Sequence, residues 1–76
     1  MSDIFGRRLR AYRKLKRWTQ SELAREIGVS IAIIGSLERG TRTPTGDLVK
    51  RLLPVLNVSE QELFADSSSQ GTNGLR

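Results

Sequence analysis

Cysteine and histidine are both missing from this chain, and their absence removes whole classes of chemistry. Without cysteine no disulfide can staple the fold, so stability has to come from packing. Without either residue the usual zinc ligand sets cannot be assembled, nor can a histidine-based catalytic constellation. Long apolar runs are missing too: the longest, Ile31–Ile34 and Leu52–Leu56, fall far short of a membrane span. The opening MSDIFGRRLR has no apolar core of a signal peptide. The expectation is a soluble, cytoplasmic protein that is not an enzyme, with no metal, no cofactor and no membrane partner. Seventy-six residues allow one small domain with a modest core. That length leaves no room for an effector domain, so no small-molecule ligand is expected.

Acidic residues are absent from one stretch in particular. Seven of the 13 Lys and Arg residues fall between Arg7 and Arg17, and no Asp or Glu interrupts them. The net charge of +5 is therefore concentrated near the N-terminus. Such clustering suits a polyanion, either nucleic acid or anionic lipid. It also suits a merely solvated helix face, and charge alone does not choose.

Hydrophobic spacing divides the chain into short helices. Phe5, Leu9, Tyr12 and Leu15 predict a first helix over Ile4–Lys16, with cations on its other faces. Arg17-Trp18 is expected to turn. Thr19-Gln20-Ser21-Glu22 fits a capping box that opens a second helix to Ile27, burying Leu23, Ala24 and Ile27. Gly28 can end that helix in the left-handed conformation, and Val29 is expected to plug into the core. Ser30 is a good cap for a third helix that stops at Gly40. Pro44 disfavours helix at Thr43, and Thr45 can cap a fourth helix with Val49, Leu52, Leu53 and Leu56 on one stripe. Pro54 interrupts this stripe, so a kink or an early end is expected there. Ser59 caps a short fifth helix, with Leu63 and Phe64 closing the core. Residues 1–65 form the domain in this reading, and DSSSQGTNGLR, residues 66–76, is expected to be a disordered tail or linker.

Two short helices joined by a three-residue turn containing glycine form a helix-turn-helix. The match extends further, through FGRRLRAYR, TQSELAREIGVS, LERGTRTP and LNVSEQELF. From Phe5 to Phe64 the chain resembles the lambda-repressor/Cro-type (XRE-like) DNA-binding domain, an all-α, compact five-helix fold. The resemblance implies a transcriptional regulator that binds a double-stranded DNA operator, as a homodimer, with helix three in the major groove. It implies that Ile31, Ala32 and Ser36 stand at base-reading positions. It places Thr19, Gln20, Arg39, Thr41, Arg42 and Thr43 against the DNA backbone. Arg13 and Glu38 match a structural salt bridge between helices one and three, which makes Arg13 scaffold rather than a DNA contact. The dimer face is expected around Val55, Val58, Leu63 and Phe64, residues that could instead only close the core.

Helix three departs from the family at its start, where Ile31-Ala32 replaces the usual polar readers. On a helical wheel, Ile34 and Leu37 face the core while Ala32 and Arg39 face directly away. Gly35 and Ser36 flank them on the outer side, and Ile31 and Ile33 lie near the boundaries. Bidentate reading of guanine or adenine from the first two positions is therefore excluded. Ile31 and Ala32 can pack on thymine methyls, leaving specificity to shape and deformability. A different reading uses the same facts: a helix-turn-helix turned into a protein-protein interaction module, with the isoleucine pair as its anchor. The retained Thr19-Gln20 and Arg39–Arg42 elements favour DNA.

Overall fold

The computed structural model describes residues 3–64, so the 66–76 tail lies outside the described residues. Five helices follow one another: α1 (Asp3–Leu15), α2 (Gln20–Ile27), α3 (Ile31–Arg39), α4 (Gly46–Leu56) and α5 (Glu60–Phe64). Each of the middle three starts at a hydroxyl. Thr19 accepts from the Glu22 amide, Ser30 from that of Ile33, and Thr45 from that of Leu48. Each such cap contributes ~1 kcal/mol by satisfying an otherwise orphaned donor. Thr19 also receives the reciprocal bond, its amide donating to the Glu22 carboxylate, and Ser59 and Glu62 repeat the pattern before α5. Gly28 and Gly40 end α2 and α3 with φ of 79° and 80°, a region that side chains with a Cβ enter only under strain.

α1 packs on α3 and α5, and α2 is held between α3 and α4. Leu9, Leu23, Ile34, Leu37, Leu52, Leu56 and Leu63 are fully buried and form the centre of the core. Burying each contributes about 1.5–3 kcal/mol. Gly6 lets α1 approach α3 closely: a Cβ there would stand 2.5 Å from the Leu37 carbonyl oxygen and 2.6 Å from that of Glu38. Arg51 ties α4 to the end of α2, donating to the Ile27 carbonyl at 3.0 Å while pairing with Asp47 at 2.9 Å.

Four expectations need correction. Leu15 is 70% exposed rather than part of the α1 stripe. It follows Tyr12 by three residues, and Tyr12 already sits half-buried at the edge of the stripe, so Leu15 falls beyond it. Of the kink or early end expected at Pro54, the early end does not occur: α4 continues through Pro54 to Leu56. Pro54 and Lys50 are both exposed, so the carbonyl that loses its donor faces water. Phe64 is 44% exposed, and it stacks on Phe5 at 5.0 Å instead of entering the core. Gly35, expected on the outer side of α3, is buried, for a reason that belongs to the site.

Candidate nucleic-acid interface

The site is organised around a carboxylate that points inward. Glu38 sits in the last turn of α3, where the helix dipole disfavours an anion, with its side chain only 4% exposed. Arg13 makes this tolerable. Its Nε donates to Glu38 Oε2, its Nη2 to Oε1 at 3.1 Å, and its Nη1 to the Trp18 carbonyl at 2.9 Å. A third donor comes from α2: Gln20 Nε2 reaches Glu38 Oε1 at 3.0 Å. One carboxylate thus joins α1, α2, α3 and the turn before α2. Among the described residues no buried side-chain polar atom is left without a partner.

This network fixes where α2 begins relative to α3. The capping box occupies the amides of Thr19 and Glu22. The amides of Gln20 and Ser21, in the first turn, point out of the helix end, where the dipole favours an anion. Thr19 and Ser21 are exposed, and Gln20 is half-buried with its amide nitrogen engaged by Glu38. The side chain of Gln20 is therefore part of the scaffold, while its backbone remains open.

α3 presents a low surface. Ala32 and Arg39 are exposed, and Ile31 is 51% exposed. Ile33 is half-buried against the core and Ile34 is fully buried, so the apolar run presents one large side chain outward, not a pair. Gly35 is covered by its neighbours: a Cβ there would lie 3.1 Å from Arg39 Nη1 and 4.0 Å from Gln20 Nε2. The long side chains of Arg39 and Gln20 lie across the position that the wheel alone left open.

The loop after α3 folds back on Ser36. The amide and hydroxyl of Thr41 both donate to the Ser36 carbonyl, at 3.0 and 3.2 Å. The Ser36 hydroxyl donates to the Ile33 carbonyl at 2.9 Å and accepts from Arg42 Nε at 3.1 Å. One acceptor lone pair of that hydroxyl remains, and Arg42, bonded through Nε, is exposed. Arg42 is thereby tied back to α3 at Ser36, and Arg39 is exposed on the same helix. Thr43 is exposed in the following loop. The helical wheel missed this contact because Arg42 lies past the helix end, where periodicity no longer assigns a direction.

Arg39, Arg42, the α2 amides and Ile31-Ala32 thus border one surface, able to hold an anion at its rim and an apolar group at its centre. Among the described residues, no His, Cys, Asp and Glu grouping could hold a metal ion. None of their helices is long and apolar enough to cross a membrane.

A helix-turn-helix family profile matches residues 9–63 of the chain. The chain is 45% identical over 62 residues to the uncharacterized HTH-type transcriptional regulator YazB of Bacillus subtilis, covering 82% of this chain and 90% of that one. With the HTH-type transcriptional regulator SinR of Bacillus subtilis it is 32% identical over 72 residues, covering 93% of this chain but 65% of SinR. Among solved structures, the restriction-modification controller protein C.AhdI from Aeromonas hydrophila superposes with a TM-score of 0.78 at 33% identity. That match covers 83% of this chain and 96% of that chain.

Proposed function

The chain belongs to the XRE-type helix-turn-helix family of transcriptional regulators, and on that premise we propose that it binds duplex DNA sequence-specifically with α3 in the major groove. The observation that carries the reading is the shape and rim of α3. Ala32 and Ser36 place no bulky side chain between the helix and base edges, while Gly35 lies beneath Arg39 and Gln20. At the border of this surface stand two arginines and the open amides of α2. Phosphates fix the register through Thr19, the Gln20 amide, Arg39, Thr41, Arg42 and Thr43. Ile31 and Ala32 contact thymine methyls, and Ser36 offers its remaining lone pair to a base amino group.

The active species is a homodimer on a two-fold operator. Leu63 is fully buried within the chain and drops out of the interface. Phe64, 44% exposed, is the anchor, flanked by the partly covered Val55 and Val58.

The alternative, a protein-only module, rested on an isoleucine pair. With Ile31 alone exposed, and only by half, its complete burial yields roughly 1 kcal/mol. One half-exposed isoleucine is also only a small part of the ~800 Å² per partner that a specific protein interface buries.

Selection from random duplexes supplies the test. Uracil in place of thymine at the contacted step removes one methyl, and affinity should fall by about 0.8 kcal/mol, roughly fourfold. Ile31→Ala should abolish that sensitivity and leave the melting temperature nearly unchanged. An Ile31→Ala variant that keeps full DNA affinity and full uracil sensitivity would sink the methyl contact. Failure of the selection to enrich any sequence would sink the DNA reading.

A further inference from the structure

The cations of α1 are not used by the surface described above, apart from Arg13, which is scaffold. Their placement divides α1 lengthwise. Gly6 and Arg13 mark the side that faces α3, and Phe5, stacked on Phe64, marks the side that faces α5. At roughly 100° per residue, Arg10, Lys14 and Arg7 follow Arg13 around the helix on the flank beyond α3. Past Arg7 the wheel continues through Ala11, Ile4, Leu15 and Arg8 toward the side of α5. Arg7, Arg10 and Lys14 are all exposed, as is Arg17 in the turn that follows. Among the described residues none of these four is in an ion pair.

Fold stability does not explain the arrangement. The helix dipole rewards cations in the last turn, which accounts for Lys14 but not for Arg7 and Arg10, which precede the last turn of α1. Arg7 and Arg10 are three residues apart, and Arg10 and Lys14 four, spacings at which like charges repel on a helix surface. Arg17 adds a second cost. It stands at φ 65°, in the left-handed position after α1 that glycine occupies most easily. Arg7, Arg10 and Arg17 therefore stand at positions where neutral residues or glycine would stabilise the fold better.

What they border explains them. The Trp18 carbonyl is held by Arg13, and Thr19 opens α2, so Arg17 stands directly beside the open amides proposed to hold a phosphate. From there Lys14, Arg10 and Arg7 run back along α1, spanning roughly 10 Å at 1.5 Å per residue. We propose that this flank is a second phosphate-binding surface, gripping the duplex backbone beside the helix-turn-helix and lengthening the footprint without reading sequence. The inference rests on the DNA-binding reading above, since the flank continues that rim. Duplex DNA is the occupant because its phosphates form a rigid row, one per ~3.4 Å of axis on each strand, that a straight cationic stripe can follow.

The test is the variant Arg7→Gln/Arg10→Gln/Lys14→Gln, measured on a random-sequence duplex and on a selected one across a salt series. Each lost phosphate contact lowers the slope of log K against log salt by ~0.9, so the triple variant should lose roughly 2–3 on both duplexes. The ratio of selected to random affinity should not change, and the melting temperature should hold or rise. An unchanged slope would mean a solvated face and overturn the proposal. A changed ratio would overturn it too, by showing sequence reading. So would binding to phosphatidylserine vesicles that disappears in the variant while the DNA slope persists. Arg10→Gln alone, with a slope loss of ~0.9, keeps the test open if the triple variant is poorly folded. Wild-type protein with no salt-dependent DNA binding would remove the parent reading as well. A normal wild-type slope that Arg42→Gln lowers and the triple variant does not removes this inference alone.

Discussion

Arg13→Ala probes the centre of the domain. Arg13 is 8% exposed and its guanidinium makes three hydrogen bonds, two to Glu38 and one to the Trp18 carbonyl. Truncation leaves a carboxylate that is 4% exposed with one remaining donor, Gln20 Nε2, and leaves the Trp18 carbonyl unpaired by protein. Removing one partner of a buried pair costs ~3–5 kcal/mol, and the surviving Gln20 bond places this case near ~3. A domain of 76 residues is stable by about 4–11 kcal/mol, so the loss takes a large share of the total.

Urea unfolding of wild type, Arg13→Ala, Glu38→Ala and the double variant measures it, provided the m-values agree. The double variant should be more stable than the sum of the single losses predicts, because it no longer strands a charge. A coupling of at least ~1 kcal/mol is expected. Arg13→Lys should lie between wild type and Arg13→Ala, since a single ammonium cannot match the fork that spans both Glu38 oxygens and Trp18. Strictly additive losses would refute the reasoning, for they would mean that the pair contributes nothing as a pair.

Gly6→Ala places a methyl group 2.5 Å from the Leu37 carbonyl oxygen, which is backbone and cannot step aside. Forced overpacking of this kind costs ~1–3 kcal/mol, so calorimetry should show a melting temperature lower by roughly 5–20 °C; an unchanged value would contradict the close approach. Ser36→Ala should weaken DNA binding both by releasing Arg42 and by removing the proposed base contact, with little change in stability, so a smaller loss should persist in an Arg42→Ala background. No loss in that background would show that Ser36 acts only by holding Arg42.

Much of this was legible in the sequence because the deciding signals are local. Thr19, Ser30 and Thr45 announce helix starts by chemistry that acts within four residues, and Gly28 and Gly40 announce ends in the same way. The Arg13–Glu38 pair is different. Twenty-five residues separate its members, and only the family resemblance connected them. What periodicity could not supply was anything decided by a long side chain crossing between elements. Gln20 and Arg39 cover Gly35, Arg42 reaches back to Ser36, and Arg51 reaches the Ile27 carbonyl. A wheel assigns directions to Cβ atoms, whereas these side chains act several bonds further out. Leu15 failed for a different reason: three residues past Tyr12, which already marks the edge of the stripe, it is turned beyond the core.

The unusual start of α3 and the buried Glu38 bear on one another. In the proposed complex the first turn of α3 supplies only Ile31 and Ala32, so little polar contact there corrects a misplaced helix. Register must then come from how rigidly α3 is set against the phosphate-holding end of α2. That setting is the Gln20–Glu38 hydrogen bond, held in turn by Arg13. Small residues on the outer face make the geometry more demanding, since a helix that sits close tolerates less displacement. On the DNA-binding reading proposed above, the same carboxylate serves stability and recognition. Substitution at Glu38 should reduce discrimination between sequences as well as stability, although Glu38 itself is turned away from the reading surface and touches no DNA in the proposed complex.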